Sequence, residues 1–142
     1  QNGHFRNNLF MGGRRYAMET GSLTPYSTMD YNAYRRNEPE QFLKWISHDR
    51  NVGRYQSVKE LFEATGLEQH GVAADYDIFV RAEPPQKGKT CEPEDYDLRL
   101  SERAKVVDAG VVLPQVTDGY KAQAPDLGCY ELGRQLPHYG PR

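Results

Sequence analysis

The stretches Asn7-Asn8-Leu9-Phe10 and Tyr31-Asn32-Ala33-Tyr34 lie 24 residues apart, and that offset is a repeat of solenoid size. The first ends the strand-like run that starts at His4 and stops at Met11-Gly12-Gly13. The second ends the run Ser27-Thr28-Met29-Asp30, after a turn-rich stretch containing Gly21 and Pro25. A period of this size belongs to solenoids, in which each turn of chain buries its apolar side only by stacking on a neighbour. Asn8 and Asn32 are candidates for a ladder, each side-chain amide bonding the same corner of the next coil. Asparagine also tolerates the left-handed backbone of a sharp corner.

Outward from the repeat, the charged stretch Arg35-Arg36-Asn37-Glu38-Pro39-Glu40 and the mixed run around Phe42, Trp45 and Ile46 read as an excursion. A helix is expected over residues 57–65, with Ser57 and Glu60 as a capping box, Val58, Leu61 and Phe62 on the apolar face, and Gly66 as the stop. It would cover an open side of the core. Tyr76-Asp77-Ile78-Phe79-Val80 and Tyr96-Asp97-Leu98-Arg99-Leu100 each read as a short strand, separated by a solvated loop containing Pro84-Pro85 and two lysines. From Val106 onward the chain is mostly turns, a wrapped tail. The expected division is one unit over 1–142: coils in 1–34, excursion and covering helix in 35–74, final strands and tail in 75–142.

Composition agrees with a polar, turn-rich β protein. Of 142 residues 37% are hydrophobic, mean hydropathy is −0.84, and there are 13 glycines, 9 prolines and 10 tyrosines. Net charge is −2 but uneven: residues 1–56 carry +3 and residues 57–142 carry −5. Nothing here is a footprint for nucleic acid, no apolar run approaches a membrane span, and the basic first part suits an acidic ligand. Cys91 and Cys129 are too few and too far apart for a zinc site; Cys129 reads as a small buried residue.

The succession Asp97-Leu98-Arg99-Leu100, Val107-Asp108-Ala109-Gly110, Asp118-Gly119 and Ala124-Pro125-Asp126-Leu127-Gly128-Cys129-Tyr130-Glu131 resembles the C-terminal end of right-handed parallel β-helix proteins of the pectate-lyase-like superfamily. The run Asn7-Asn8-Leu9-Phe10 and the helix ending in Ala64-Thr65-Gly66 also resemble the last coils and covering helix of such proteins. Where many relatives have alanine before the tail tyrosine, this chain has Cys129. The resemblance implies a mainly β fold with one short helix, coils preceding this segment, an exported protein (secreted or periplasmic), and a polysaccharide partner, acidic if a uronate. An isolated chain with its first coil uncovered would self-associate.

The resemblance also implies a parent with polysaccharide lyase or glycoside hydrolase chemistry, this chain alone being inactive; the alternatives are a non-catalytic carbohydrate-binding or adhesive β-helix, or a purely structural cap. A lyase needs a cation at the uronate carboxylate, a base for the neighbouring proton and an acid for the leaving oxygen. Arg14, Arg15, Arg35 and Arg36 are candidates for the cation, His4, His48 or Lys44 for the base, and Tyr16, Tyr26 or Tyr34 for the acid. Arg14, Arg15, Tyr16, Tyr34, Arg35 and Arg36 form the candidate substrate-binding set. A hydrolase would instead need two carboxyl groups about 5 to 9.5 Å apart, from Asp30, Glu19 and Asp49. Asp108, Asp118, Asp126 and Glu131 read either as turn formers or as calcium ligands.

Overall fold

Two successive turns of chain lie on one another strand for strand. The computed structural model describes residues 2–13, 15–21, 24–39 and 42–136. In the first turn β1 (His4–Phe5), β2 (Leu9–Phe10) and β3 (Met18–Thr20) follow in order; in the second, β4 (Thr28–Met29), β5 (Ala33–Arg35) and β6 (Leu43–Ile46) repeat them. Every pair is parallel: His4 lies beside Thr28, Leu9 beside Ala33, and Met18 beside Leu43. The third pairing corrects the expected excursion, because residues 43–46 complete the second turn. The charged stretch before them hides a strand whose Leu43 and Trp45 are buried and whose Lys44 and Ile46 are less so.

The corner between the first two strands of each turn is made by one left-handed residue, Asn7 (φ 57°) and then Tyr31 (φ 56°). This breaks each run into two short strands, where the sequence suggested one. Asparagine adopts that backbone at little cost and tyrosine does not. The Tyr31 ring offsets the cost in part by stacking on His70, with centroids 4.4 Å apart.

After the second turn the chain doubles back. β7 (Val52–Tyr55) pairs antiparallel with β6, and α1 (Val58–Thr65) follows. Ser57 accepts the Glu60 amide and Gly66 (φ 73°) closes the helix onto Phe62 O, as expected. Val58 and Leu61 are buried, but Phe62 is exposed. β8 (Val72–Ala74) then adds a third parallel rung to the sheet β2-β5-β8. Beyond it, the Tyr76–Ile78 stretch is a 3₁₀ turn capped by Asp75, and only Phe79–Arg81 (β9) is extended. β9 pairs antiparallel with β10 (Asp97–Leu100).

Alternation along β5 assigns the two cores. Tyr34 faces the interior with Phe10, Met18, Leu43, Trp45 and Leu61; the Phe10 and Tyr34 rings stack 5.0 Å apart. Ala33 faces the other way, where Leu9 and Val72 meet Leu100, Val106 and Leu127. The tail therefore closes the outer face of the β2-β5-β8 sheet. It is fastened there by the Asn7 side chain, which bonds both the N–H (2.9 Å) and the C=O (2.8 Å) of Val111. Gly128 (φ 105°) lies so close to Leu9 that an added Cβ would sit 2.7 Å from its Cδ1. The fold is thus mainly β, built of small sheets with one short helix among the described residues.

Among the described residues one polar atom is left over: the Thr20 hydroxyl on β3 is sealed from solvent without a hydrogen-bond partner. Burying such a group costs about 1–3 kcal/mol. Thr20→Val keeps the shape and is expected to raise stability by about 1 kcal/mol in a denaturant melt. An unchanged or lower midpoint would mean that the hydroxyl has a partner.

Candidate functional site

The ladder expected from Asn8 and Asn32 is present, and it has a third member. Asn32 Oδ1 accepts both the backbone N–H (3.0 Å) and the side-chain amide (2.9 Å) of Asn8. Asn32 in turn gives its own amide to Glu68 Oε1 at 2.7 Å and its backbone N–H to Oε2 at 3.3 Å. Glu68, in left-handed backbone (φ 60°), also accepts the Tyr34 hydroxyl at 2.6 Å. Asn32, Tyr34 and Glu68 are all fully buried. Tyr34 is therefore a core residue and not a contact for an external glycan, and burial keeps its phenol protonated by pushing it up.

Burial also pushes the Glu68 carboxyl above its ordinary 4.5, while the bonds from Tyr34 and Asn32 pull it down less. The unfolded chain then releases this proton at a lower pH than the folded protein. Stability contributed by Glu68 is complete below pH 4.5 and is lost as pH rises through the raised folded value. Thermal melts should show the advantage of the protein over Glu68→Gln shrinking as pH rises through the mildly acidic range. An advantage that grows with pH would reverse the assignment.

The other described substrate-binding candidates each bond residues outside the set. Arg14 lies outside the described residues. Arg15 (φ 59°) is exposed, its backbone N–H on Glu38 at 3.3 Å. Arg35 is pinned: Nε meets Asp75 at 2.6 Å, Nη1 meets Gly12 O and Asn37, and the guanidinium lies 5.2 Å over the Tyr76 ring. Arg36 is exposed and donates to Pro39 O and Gln56. Tyr16 accepts from Arg54 at 3.2 Å, and Lys44, paired with Glu19, sits 5.8 Å over its ring.

The other candidates scatter. His4 bonds Thr28, and Tyr26 is 74% exposed. Asp30 binds His70 at 2.9 Å, Glu19 is held by Lys44, and Asp49 pins its own turn. No two of these carboxylates are joined to one another by a hydrogen bond.

The acidic residues of the tail work as amide acceptors. Asp108 Oδ1 takes Gln123 N (2.9 Å) and Ala124 N (3.1 Å), Asp126 takes Asp108 N (2.8 Å) and Leu132 N (2.6 Å), Glu131 takes Asp126 N, and Asp118 takes Gln115 N. Among the described residues no three acidic, His or Cys side chains converge as a metal set. Each of the four thus accepts at least one backbone amide. Cys91 and Cys129 are both free; Cys129 is exposed, against the expected burial, because the outer face is filled by Leu127 and Pro125 instead.

No family model, curated protein or solved structure matches the chain. The sequence reading missed Glu68, Trp45, Gly53 and Tyr55. Glu68 follows Asn32 by 36 residues, not 24, because the β6-β7 hairpin and α1 intervene. Trp45 was buried in the supposed excursion. Gly53 beside Trp45 in the β6-β7 register carried the one usable signal, since glycine inside a strand marks a close approach.

Proposed function

We propose that this chain forms the last coils and closing cap of a larger right-handed parallel β-helix protein, exported and carbohydrate-active. The observation that carries the architecture is the polarity of the ladder. Each rung gives its backbone and amide N–H groups to the side-chain oxygen of the rung after it. Glu68 accepts from Asn32 and Tyr34 and gives no hydrogen bond to a further rung among the described residues, so the ladder closes there. Asn8 Oδ1 has no hydrogen-bond partner among the described residues, and it is where a preceding rung would donate. β1, β2 and β3 are also each the edge of their sheets, all belonging to the first turn.

The carbohydrate reading rests on the resemblance of the tail and on the aromatic and basic residues of the first two turns. Among the described residues no helix is long and apolar enough to cross a membrane. The parent acts as a polysaccharide lyase or hydrolase, with its acid and base in earlier coils. A binding protein without cleavage is the second reading, favoured by the pairing of Arg35 with Asp75 and Lys44 with Glu19, which leaves neither cation idle. Incubating the parent with polyuronates and neutral glycans separates the two. Product formation supports the enzyme, binding in a glycan array without product supports the second, and a parent that neither cleaves nor binds any of these glycans overturns both.

A further inference from the structure

The cavity that no earlier assignment uses lies between the β6-β7 hairpin, the C-terminal end of α1 and the turn at residues 24–27. It encloses about 490 Å³ and is lined by Trp45, His48, Tyr55, Pro25, Thr65 and Leu67 among others. That volume lies within the range of about 300–1,000 Å³ usual for small-molecule sites. Among the described residues that line it, none is Lys, Arg, Asp or Glu.

Trp45 and Tyr55 are placed by the strand pairing. Trp45 lies beside Gly53 in the β6-β7 register, and the Tyr55 phenol crosses the bare Gly53 Cα, where a Cβ would meet its Oη at 2.1 Å. The missing side chain thus lets two aromatic rings share one wall. His48 is held at the mouth by a rigid turn: Arg50 is left-handed (φ 68°) and its N–H bonds Ser47 O, while Asp49 binds the Asn51 side chain at 2.6 Å.

The three side chains have unused polar ends. Trp45 is only 8% exposed, yet its indole N–H has no hydrogen-bond partner among the described residues and is not sealed from solvent. The His48 ring and the Tyr55 hydroxyl likewise make no hydrogen bond among those residues. Here a donor, a donor or acceptor, and a hydroxyl that is both surround aromatic faces.

We infer that this cavity binds one ring of a neutral glycan, packed against the Tyr55 ring and the edge of Trp45 that reaches the cavity, with its hydroxyls on the indole N–H, His48 and the Tyr55 hydroxyl. The assignment deepens the carbohydrate reading and rests on it for the class of ligand. A uronate is disfavoured, because no Lys or Arg among the described lining residues offsets the charge of its carboxylate. The acidic-ligand expectation attached to the arginines therefore does not extend to this site.

Trp45 is the single tryptophan of the chain, so its fluorescence reports on the cavity directly. The 142-residue chain is titrated with oligosaccharides of glucose, xylose and mannose, and with trigalacturonate. At least one neutral oligosaccharide should give a saturable change in Trp45 emission that trigalacturonate does not give. His48→Ala, on an exposed turn, should weaken that affinity about tenfold, the loss of one ligand hydrogen bond of about 1.4 kcal/mol. Gly53→Ala should weaken it by displacing the phenol, and Arg15→Ala should leave it unchanged. No saturable change with any neutral sugar, or an affinity that His48→Ala does not alter, would overturn the site. A response to trigalacturonate that Arg36→Ala abolishes would also overturn it, while leaving the carbohydrate reading standing.

Discussion

Asn32→Asp is expected to cost about 4 kcal/mol or more at neutral pH, although it changes a single buried atom from nitrogen to oxygen. Asn32 is fully buried, and its side-chain N–H groups reach Phe5 O, Asp30 O and Glu68 Oε1. Aspartate supplies none of them and sets a second carboxylate against Glu68. Asn32→Ala, which removes the same donors without adding charge, should be the milder change. Combining Asn32→Asp with Glu68→Gln restores a donor facing an acceptor, now with the direction reversed. The double variant should then be more stable than the sum of the two single losses by about 2 kcal/mol, within the range measured for residues in one network. Denaturant melts of the four proteins in the cycle give that coupling. Additive losses would mean that Asn32 and Glu68 do not interact as the geometry has it.

The second large effect is association of the isolated chain through its first turn. β1, β2 and β3 are edge strands, and Phe5 and Phe10 are only partly buried against the interior. Unpaired parallel edges are templates for another chain. Covering a few hundred Å² of apolar surface favours contact by several kcal/mol, at about 25 cal/mol per Å², before the entropy of association. Light scattering should therefore show mass rising with concentration. Adding a further turn before Gln1, copied from the sequence of residues 3–26, should move the open edge outward and raise the melting temperature. Changing the ladder asparagine in that added turn to leucine should cancel much of the gain, because Asn8 Oδ1 would again lack a donor. A monodisperse monomer at every concentration would contradict the open end. The outer face of the β2-β5-β8 sheet should not contribute, since the tail already fills it.

How far each element could be read from residues alone follows from the range of the forces involved. The helix was legible at both ends because capping is local: Ser57, Glu60 and Gly66 act within a turn of chain. The pairing of Asn8 with Asn32 was legible because stacked turns of equal length bring equal residues together, and asparagine both gives and accepts. The mainly β character followed from turn-forming residues and tyrosines distributed along the chain. By contrast, Leu43–Ile46 looked irregular because its partner on β3 is remote and its neighbours in sequence are charged. Glu68, between Leu67 and Gln69, carries no local signal of burial. Only the doubling back of the hairpin and α1 brings it under Asn32 and Tyr34, where low dielectric raises its carboxyl and three donors hold it.

The same division runs through the candidate sites. The arginine and tyrosine set was chosen for chemical type, which the sequence states outright, but availability depends on neighbours that folding supplies. Folding gives Arg35 to Asp75, Lys44 to Glu19 and Tyr34 to Glu68. It leaves Trp45, His48 and Tyr55 around one cavity, on residues that no spacing rule connects. Local backbone preference and equal-period stacking were thus determined by the sequence itself, because both act over one turn or one repeat. Which polar groups are satisfied and which remain free was decided only by the tertiary structure, since burial and hydrogen bonding depend on residues far apart along the chain.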